Sequence, residues 1–129
     1  MPHWTALVTI VALLVYFSTT VLVARARPKF GILAPAITGN PQFERIFRVQ
    51  MNTLEWLPIF LPLLWLFAFY VGDAVAAVLG LIWCGARVHY IVGYTAAADK
   101  RGTGFGIQAA VCLILLAGAL AKIVVALAH

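Results

Sequence analysis

Residues 43–71 read FERIFRVQMNTLEWLPIFLPLLWLFAFYV, and this stretch decides the fold. Its second half is apolar throughout, whereas its first half carries a polar cluster made of Arg45, Arg48, Asn52 and Glu55. A single helix containing both halves is longer than the roughly 20 residues needed to cross a bilayer. Because an ionised side chain at that depth costs at least about 2.5 kcal/mol, the cluster indicates either a ligand site or an internal ion pair.

The composition of the whole chain is that of a membrane protein. Of the 129 residues, 64% are hydrophobic and only 10% are charged, and the mean hydropathy is +1.03. This composition excludes an ordinary soluble domain. The apolar segments predict an all-α integral membrane protein, with one domain over 1–129 folded as a four-helix bundle whose helices lie at about 4–27, 42–71, 74–98 and 105–127.

The basic residues predict how the bundle is oriented. Arg25, Arg27 and Lys29 follow the first apolar segment, which we interpret as a helix rather than a cleaved signal peptide because no Lys or Arg precedes it. Lys100 and Arg101 follow the third segment, so both basic connections are expected in the cytoplasm. The net charge of +5 is therefore explained by topology and an anionic ligand. We expect no nucleic-acid partner, because aromatic and basic residues do not alternate as in a nucleic-acid groove.

Polar side chains form one stripe on each of two predicted helices, at about 100° per residue. The stripe on the second helix consists of Glu44, Arg48, Asn52 and Glu55. The stripe on the third helix and just beyond it consists of Arg87, Tyr90, Tyr94 and Arg101. Two interpretations are open for the deepest groups: Glu55 and Arg87 form an ion pair with Asn52 joining the helices, or the stripes enclose a small polyanion. The excess of donors over carboxylates favours the polyanion.

Gln50 lies on another side of the second helix, about 200° from Arg48. A polar side chain there needs a partner of its own, which is either the lipid headgroups or a neighbouring subunit. Polar groups on two sides of so small a bundle favour association of several copies.

The other reactive side chains are assigned structural roles. Cys84 and Cys112 lie in apolar segments with no charge beside them in sequence, so neither is expected to act as a thiolate. His3, His89 and His129 lie away from the two stripes, and we expect no metal site.

Two blocks of the sequence carry a family resemblance. The first is FERIFRVQMNTLEWLP at 43–58, and the second is ARVHYIVGY at 86–94. Both blocks, their separation and the distance to Arg101 resemble the MAPEG family, the membrane-associated proteins in eicosanoid and glutathione metabolism. The resemblance covers nearly the whole chain.

The resemblance implies a homotrimer that binds glutathione in a cleft between subunits at the cytoplasmic side. A hydrophobic electrophile would enter from the membrane lipid, and Arg101 would stabilise the glutathione thiolate. The glutathione contacts expected from one subunit are Arg48, Asn52, Glu55, Tyr90 and Tyr94, with Arg87 included from the second stripe. The neighbouring subunit is expected to supply Gln50 and Arg27, although Ala26 separates Arg25 from Arg27 and leaves open which arginine reaches the ligand.

The implied activity is that of a glutathione S-transferase acting on lipophilic epoxides or halides, or of a peroxidase reducing lipid hydroperoxides. A non-catalytic lipid-binding or scaffold protein of the same family is the alternative. A channel or transporter is disfavoured because the first and fourth helices supply no continuous polar path. One departure from the family pattern is Trp56, which stands where leukotriene-synthase-like members have a tyrosine and removes a hydroxyl from the expected pocket.

Overall fold

The computed structural model describes residues 1–97, 99 and 102–129. These residues form four helices: α1 (His3–Phe30), α2 (Pro41–Tyr70), α3 (Asp73–Ala96) and α4 (Gly102–Ala128). All four are long and apolar enough to cross a membrane. The prediction of an all-α fold with four membrane spans is therefore confirmed.

The centre of the bundle is formed by α2 and α3. These two helices pack against each other, and each also packs against both α1 and α4. The aromatic ring of Phe60 lies flat on that of Trp83, with ring centroids 4.0 Å apart. Leu64 and Leu115 are fully buried beside them in the same cluster. The polar half of α2 and the second half of α3 are thereby held side by side.

α1 continues three residues past its expected end at 27, through Pro28 to Phe30. A proline this close to the end of a helix removes only one intrahelical hydrogen bond. Gly31 then ends the helix at φ 68°, in the left-handed region, and the Ile32 amide donates to the Arg27 carbonyl oxygen at 3.0 Å. This closed last turn ends α1 two residues after Pro28.

α2 begins with residue types suited to a helix start. The Asn40 Oδ1 atom accepts hydrogen bonds from the amides of Gln42 and Phe43 at 2.9 and 3.1 Å. Pro41 occupies the first helical position, where a missing N–H costs nothing. These two residues fix the start of α2 one turn before Arg45, the first arginine of the helix.

α4 begins at Gly102, three residues before the expected start at 105, because the glycines of this segment do not interrupt the helix. A Cβ atom on Gly104 would lie 2.6 Å from the Ala86 carbonyl oxygen and 2.7 Å from the Tyr90 amide nitrogen. Gly104 thus allows α4 to approach the backbone of α3 closely. This approach places Phe105 beside Tyr90, with ring centroids 6.3 Å apart.

At the opposite end of the bundle, Asp73 joins the starts of two helices. Its carboxylate accepts hydrogen bonds from the amides of Trp4 and Thr5, at 3.1 and 2.8 Å, and from the Thr5 hydroxyl at 2.7 Å. The first residue of α3 therefore caps the first turn of α1.

Candidate functional site

A cavity of about 260 Å³ lies where α2, α3 and the start of α4 meet. Its lining consists of Arg48, Asn52, Tyr90, Gly102 and Phe105. Arg48 and Asn52 come from the polar half of α2, and Tyr90 comes from the stripe on α3. The structure therefore brings members of the two polar stripes together around a space that can hold a small molecule.

A second, wider cavity of about 560 Å³ adjoins the first and shares Arg48 with it. The side chains of Arg45 and Tyr94 line it, together with residues of the loop between α1 and α2 such as Ile37 and Thr38. Arg48 consequently stands between two cavities, and the polar half of α2 faces both of them.

The structure corrects the interpretation of Glu55 and Arg87 as an ion pair. A Glu55 carboxylate oxygen lies 3.2 Å from Arg48 Nη2, and these two side chains are 56% and 51% exposed. Within the described part of the chain this is the salt bridge that Glu55 forms. Residues seven positions apart lie on the same face of a helix, and the long arginine side chain spans the two turns between them. Glu55 is thus paired along α2 rather than across to α3.

Arg87 is buried and is not among the residues that line the first cavity. Its side chain is fully buried, and its Nη1 donates to Asn52 Oδ1 at 2.8 Å and to Thr53 Oγ1 at 3.4 Å. The guanidinium also lies 5.5 Å from the ring centroid of Trp83 and 4.4 Å from that of Tyr90. Arg87 thus contacts Asn52 and Tyr90, two residues that line the cavity.

The charges of the site do not cancel one another. Glu55 is paired with Arg48, whereas Arg87 and Arg45 form no salt bridge to any carboxylate that the structure describes. Buried nitrogens of these two arginines also lack hydrogen-bond partners among the described residues: Nε of Arg45, and Nε and Nη2 of Arg87. An excess of positive charge next to open cavities favours an anionic guest over an internal ion pair.

Two aromatic side chains, Tyr90 and Phe105, line the first cavity, and each packs against a further aromatic ring. Tyr90 and Tyr94 are buried, and their rings are stacked with centroids 5.6 Å apart. The Phe105 ring meets the Trp56 ring edge-on at 5.4 Å. Trp56 therefore packs against a residue of the cavity lining.

Gln50 faces α1 in the structure. Its Nε2 atom lies 3.4 Å from Thr20 Oγ1, which makes a weak hydrogen bond on the exposed surface. This partner belongs to the same chain, whereas the sequence suggested lipid headgroups or another subunit. The side chain is only partly buried, and the contact leaves the amide oxygen for other partners.

Arg27 folds over the loop between α1 and α2. Its Nη1 atom donates to the Ala36 carbonyl oxygen at 2.8 Å, and its guanidinium lies 5.3 Å from the ring centroid of Phe43. Arg25, two residues earlier, is exposed. Neither arginine lines the first cavity of its own chain.

Arg101, the expected catalytic residue, and its neighbour Lys100 lie outside the described residues. The chain re-enters the described structure at Gly102, which lines the first cavity.

Two contributors to the site, and one buried amide outside its lining, are absent from the sequence interpretation. Phe105 lines the first cavity and Thr53 accepts a hydrogen bond from Arg87, whereas Gln108 is a fully buried amide on α4 with no hydrogen-bond partner among the described residues. Gln108 could have been found as a lone polar residue in an otherwise apolar helix. Thr53 and Phe105 carry no such signal, because a threonine or a phenylalanine is ordinary in a membrane helix.

Cys84 and Cys112 are free thiols buried in the core, as expected from their apolar surroundings. Among residues 1–97, 99 and 102–129, no three His, Cys, Asp or Glu side chains are grouped so that they could hold a metal ion.

The fold and the site together define a class: a membrane protein with four spans and a cationic cavity between its second, third and fourth helices. The family comparison agrees, because the MAPEG family model matches residues 5–121. The chain belongs to the MAPEG family, as the two sequence blocks predict, and is an integral membrane protein.

Three relatives illustrate the similarity. An uncharacterized protein of Synechocystis is 48% identical over 120 residues, which are 93% of this chain and 88% of that protein. Microsomal glutathione S-transferase 2 of Mus musculus is 46% identical over 93 residues, or 72% of this chain and 63% of the relative. Leukotriene C4 synthase of Mus musculus is 38% identical over 114 residues, or 87% of this chain and 75% of the relative. The matched region thus spans less than two thirds of the mouse transferase.

Proposed function

We propose that this protein is a membrane glutathione S-transferase that adds glutathione to a lipophilic electrophile or reduces a lipid hydroperoxide. The observation that carries the proposal is the cationic cavity lined by Arg48, Asn52 and Tyr90, in a chain similar to microsomal glutathione S-transferase 2. No metal takes part in the proposed reaction.

The polar groups around the cavity match the chemistry of glutathione. This tripeptide carries two carboxylates, one ammonium, two amides and a thiol. Arg48 and Arg45 suit the carboxylates, and Glu55 suits the ammonium. Asn52 and the hydroxyls of Tyr90 and Tyr94 can bond the amides. Because the Arg48–Glu55 pair is half exposed, a zwitterionic ligand can take over its charges at little cost.

Activation of the thiol is the task assigned to Arg101. Lowering a thiol pKa from about 8.5 to near 7 requires about 2 kcal/mol of differential stabilisation of the thiolate. A guanidinium in contact with the sulfur can supply that energy. Arg101 directly precedes Gly102, which lines the cavity.

The thiolate then attacks the electrophile. With an epoxide, a carbon–sulfur bond forms, the carbon–oxygen bond breaks and the alkoxide takes up a proton; with a halide, the halide ion leaves. With a hydroperoxide, the thiolate attacks the terminal oxygen and releases an alcohol. A second glutathione then converts the resulting sulfenic acid into water and glutathione disulfide.

Assembly and orientation complete the proposal. The charged side chains of Arg48 and Glu55 are half exposed on a membrane helix, where contact with lipid is unfavourable. In the proposed homotrimer a neighbouring copy shields them from the lipid. In that arrangement Gln50 and Arg27 reach toward the neighbour's glutathione. The basic residues at 25, 27, 29, 100 and 101 support a cytoplasmic position for the site under the positive-inside rule. The hydrophobic electrophile reaches the aromatic rings of Trp56 and Phe105 from the lipid.

The activity is tested with protein purified in detergent or lipid. We expect a glutathione adduct of an aryl halide or a fatty-acid epoxide, identified by mass, or glutathione-dependent loss of a fatty-acid hydroperoxide. Lys122→Ala serves as control, since Lys122 is exposed near the far end of α4. Turnover no faster than in protein-free membranes with all three substrates would contradict the enzyme and favour a scaffold or lipid-binding role.

A further inference from the structure

Arg87 is a buried cation that no described carboxylate neutralises. Its side chain is 0% exposed, and the salt bridge formed in this region joins Arg48 to Glu55 instead. A buried guanidinium with free N–H groups is costly, so its retention at the centre of the bundle calls for a role. The groups that it touches indicate what that role is.

The hydrogen bond from Arg87 fixes which way the Asn52 amide points. A guanidinium has donors and no acceptor, so the atom of Asn52 that lies 2.8 Å from Arg87 Nη1 must be the amide oxygen. The Asn52 nitrogen is therefore the atom left for the cavity that this residue lines. The Thr53 hydroxyl already donates to the Val49 carbonyl oxygen at 2.7 Å, so it too can only accept from Arg87.

The same guanidinium supports a second wall residue. It lies 4.4 Å from the ring centroid of Tyr90, which lines the cavity, and 5.5 Å from that of Trp83. Cation–π attraction favours this arrangement and restrains the Tyr90 ring. Asn52 and Tyr90 thus both contact the buried guanidinium of Arg87.

We propose that Arg87 is a positioning residue for ligand binding. It holds Asn52 with the amide nitrogen outward, so that Asn52 donates a hydrogen bond to a carboxylate or carbonyl oxygen of the ligand, and it restrains Tyr90 beside that position. The inference rests on the proposed function, because it takes glutathione as the ligand.

The orientation of Asn52 is tested by Asn52→Asp, which keeps the shape and the oxygen facing Arg87 but replaces the outward donor with an acceptor. Binding of glutathione and of S-methylglutathione to purified protein is measured by calorimetry. We expect binding of both to weaken by about 10-fold or more, since a donor is lost and two acceptors face each other. Binding within about twofold of the parent means that Asn52 presents its oxygen, and overturns the proposal.

The role of Arg87 is tested by a double-mutant cycle with Arg87→Gln and Asn52→Ala. Glutamine can donate or accept through its amide, so it no longer dictates the orientation of Asn52. We expect Arg87→Gln to weaken S-methylglutathione binding about 10-fold in the parent and to have much less effect in the Asn52→Ala background. The same loss in both backgrounds, or no loss in the parent, overturns the positioning role.

A second measurement separates positioning from general damage to the fold. The thiolate absorbance at saturating glutathione is expected to be unchanged in Arg87→Gln, because Arg101 is untouched. Loss of that absorbance at saturation contradicts the assignment. Should Arg87→Gln not fold, Arg87→Met, which has no N–H donor to dictate the orientation of Asn52, replaces it in the cycle, and Asn52→Asp decides the orientation independently. A parent that binds neither compound shows instead that the proposed function itself is wrong, and the inference falls with it.

Discussion

Arg48 contributes little to the stability of the fold, whereas its position in both cavities suits it to bind a ligand. Its salt bridge with Glu55 is about half exposed, and exposed pairs contribute only about 0–1 kcal/mol to stability. Its guanidinium lines both cavities, where a ligand carboxylate can accept a pair of hydrogen bonds. The residue is thus expected to matter mainly for the ligand.

Arg48→Ala is expected to weaken glutathione binding by about 10- to 100-fold, the loss typical of a charge-assisted hydrogen bond. The thermal unfolding midpoint should change little. Calorimetry and a thermal melt of the same preparation measure the two effects, with Lys122→Ala as the matched loss of one exposed positive charge. Equal glutathione affinity in Arg48→Ala and Lys122→Ala would remove Arg48 from the site.

At the residue scale the sequence predicts which side chains gather but not how they pair. Helical periodicity brings Arg48, Asn52 and Glu55 to one face. It does not decide whether Glu55 pairs with Arg48 or Arg87, because both are within reach of the carboxylate and the choice depends on side-chain depth. The full burial of Arg87 depends on packing against Trp83 and Tyr90, which periodicity does not contain.

The contact between α3 and α4 depends on one glycine. A Cβ on Gly104 would meet backbone atoms of Ala86 and Tyr90 at 2.6 and 2.7 Å, and backbone cannot move aside as a side chain can. Gly106, two residues later, has no atom within 4 Å of the same position. The two glycines thus differ in role although they share a helix.

Gly104→Ala is expected to destabilise the protein by about 1–3 kcal/mol, the usual cost of overpacking. It should also weaken glutathione binding, because Phe105 and Tyr90 move apart. Gly106→Ala is the matched control, and it should be neutral or stabilising by up to about 1 kcal/mol through helix propensity. Thermal unfolding in one detergent compares the pair, and equal midpoints would contradict the close approach of α3 and α4.

A second prediction at this scale concerns the cap between α1 and α3. Asp73→Ala leaves two amides and the Thr5 hydroxyl without their acceptor, so we expect a loss of about 1–3 kcal/mol. Asp73→Asn retains one oxygen and should lose less. Thermal melts that rank the two variants in the opposite order would exclude the capping role.

The helices themselves follow from apolar runs of about 20 residues, which is why the four spans are predictable. Their ends are less predictable for a physical reason. Pro28 and Gly102 are residue types that commonly interrupt helices, yet α1 continues through Pro28 to Phe30 and α4 begins at Gly102. The charged residues of the site could be predicted, because charges are rare in membrane helices. Phe105 shapes the cavity but could not be predicted, because a phenylalanine is ordinary in such a helix.

For the whole molecule, one copy leaves charged groups of α2 half exposed at membrane depth. We expect native mass spectrometry to find assemblies of three copies of the 14.0 kDa chain. Gln50→Ala should weaken glutathione binding without changing this assembly, because its contact with Thr20 is long and exposed. A monomer that binds glutathione as tightly as the assembled form would contradict a site shared between subunits.

The central claim is that the cationic cluster binds glutathione and holds its sulfur as a thiolate. The most direct measurement is a glutathione titration of the purified protein at the ultraviolet absorbance band of the thiolate, for the parent and for Arg101→Ala. We expect a saturable thiolate signal near neutral pH in the parent, and its loss in Arg101→Ala while most of the binding remains. Binding without any thiolate signal in the parent, or an undiminished signal in Arg101→Ala, would contradict that claim.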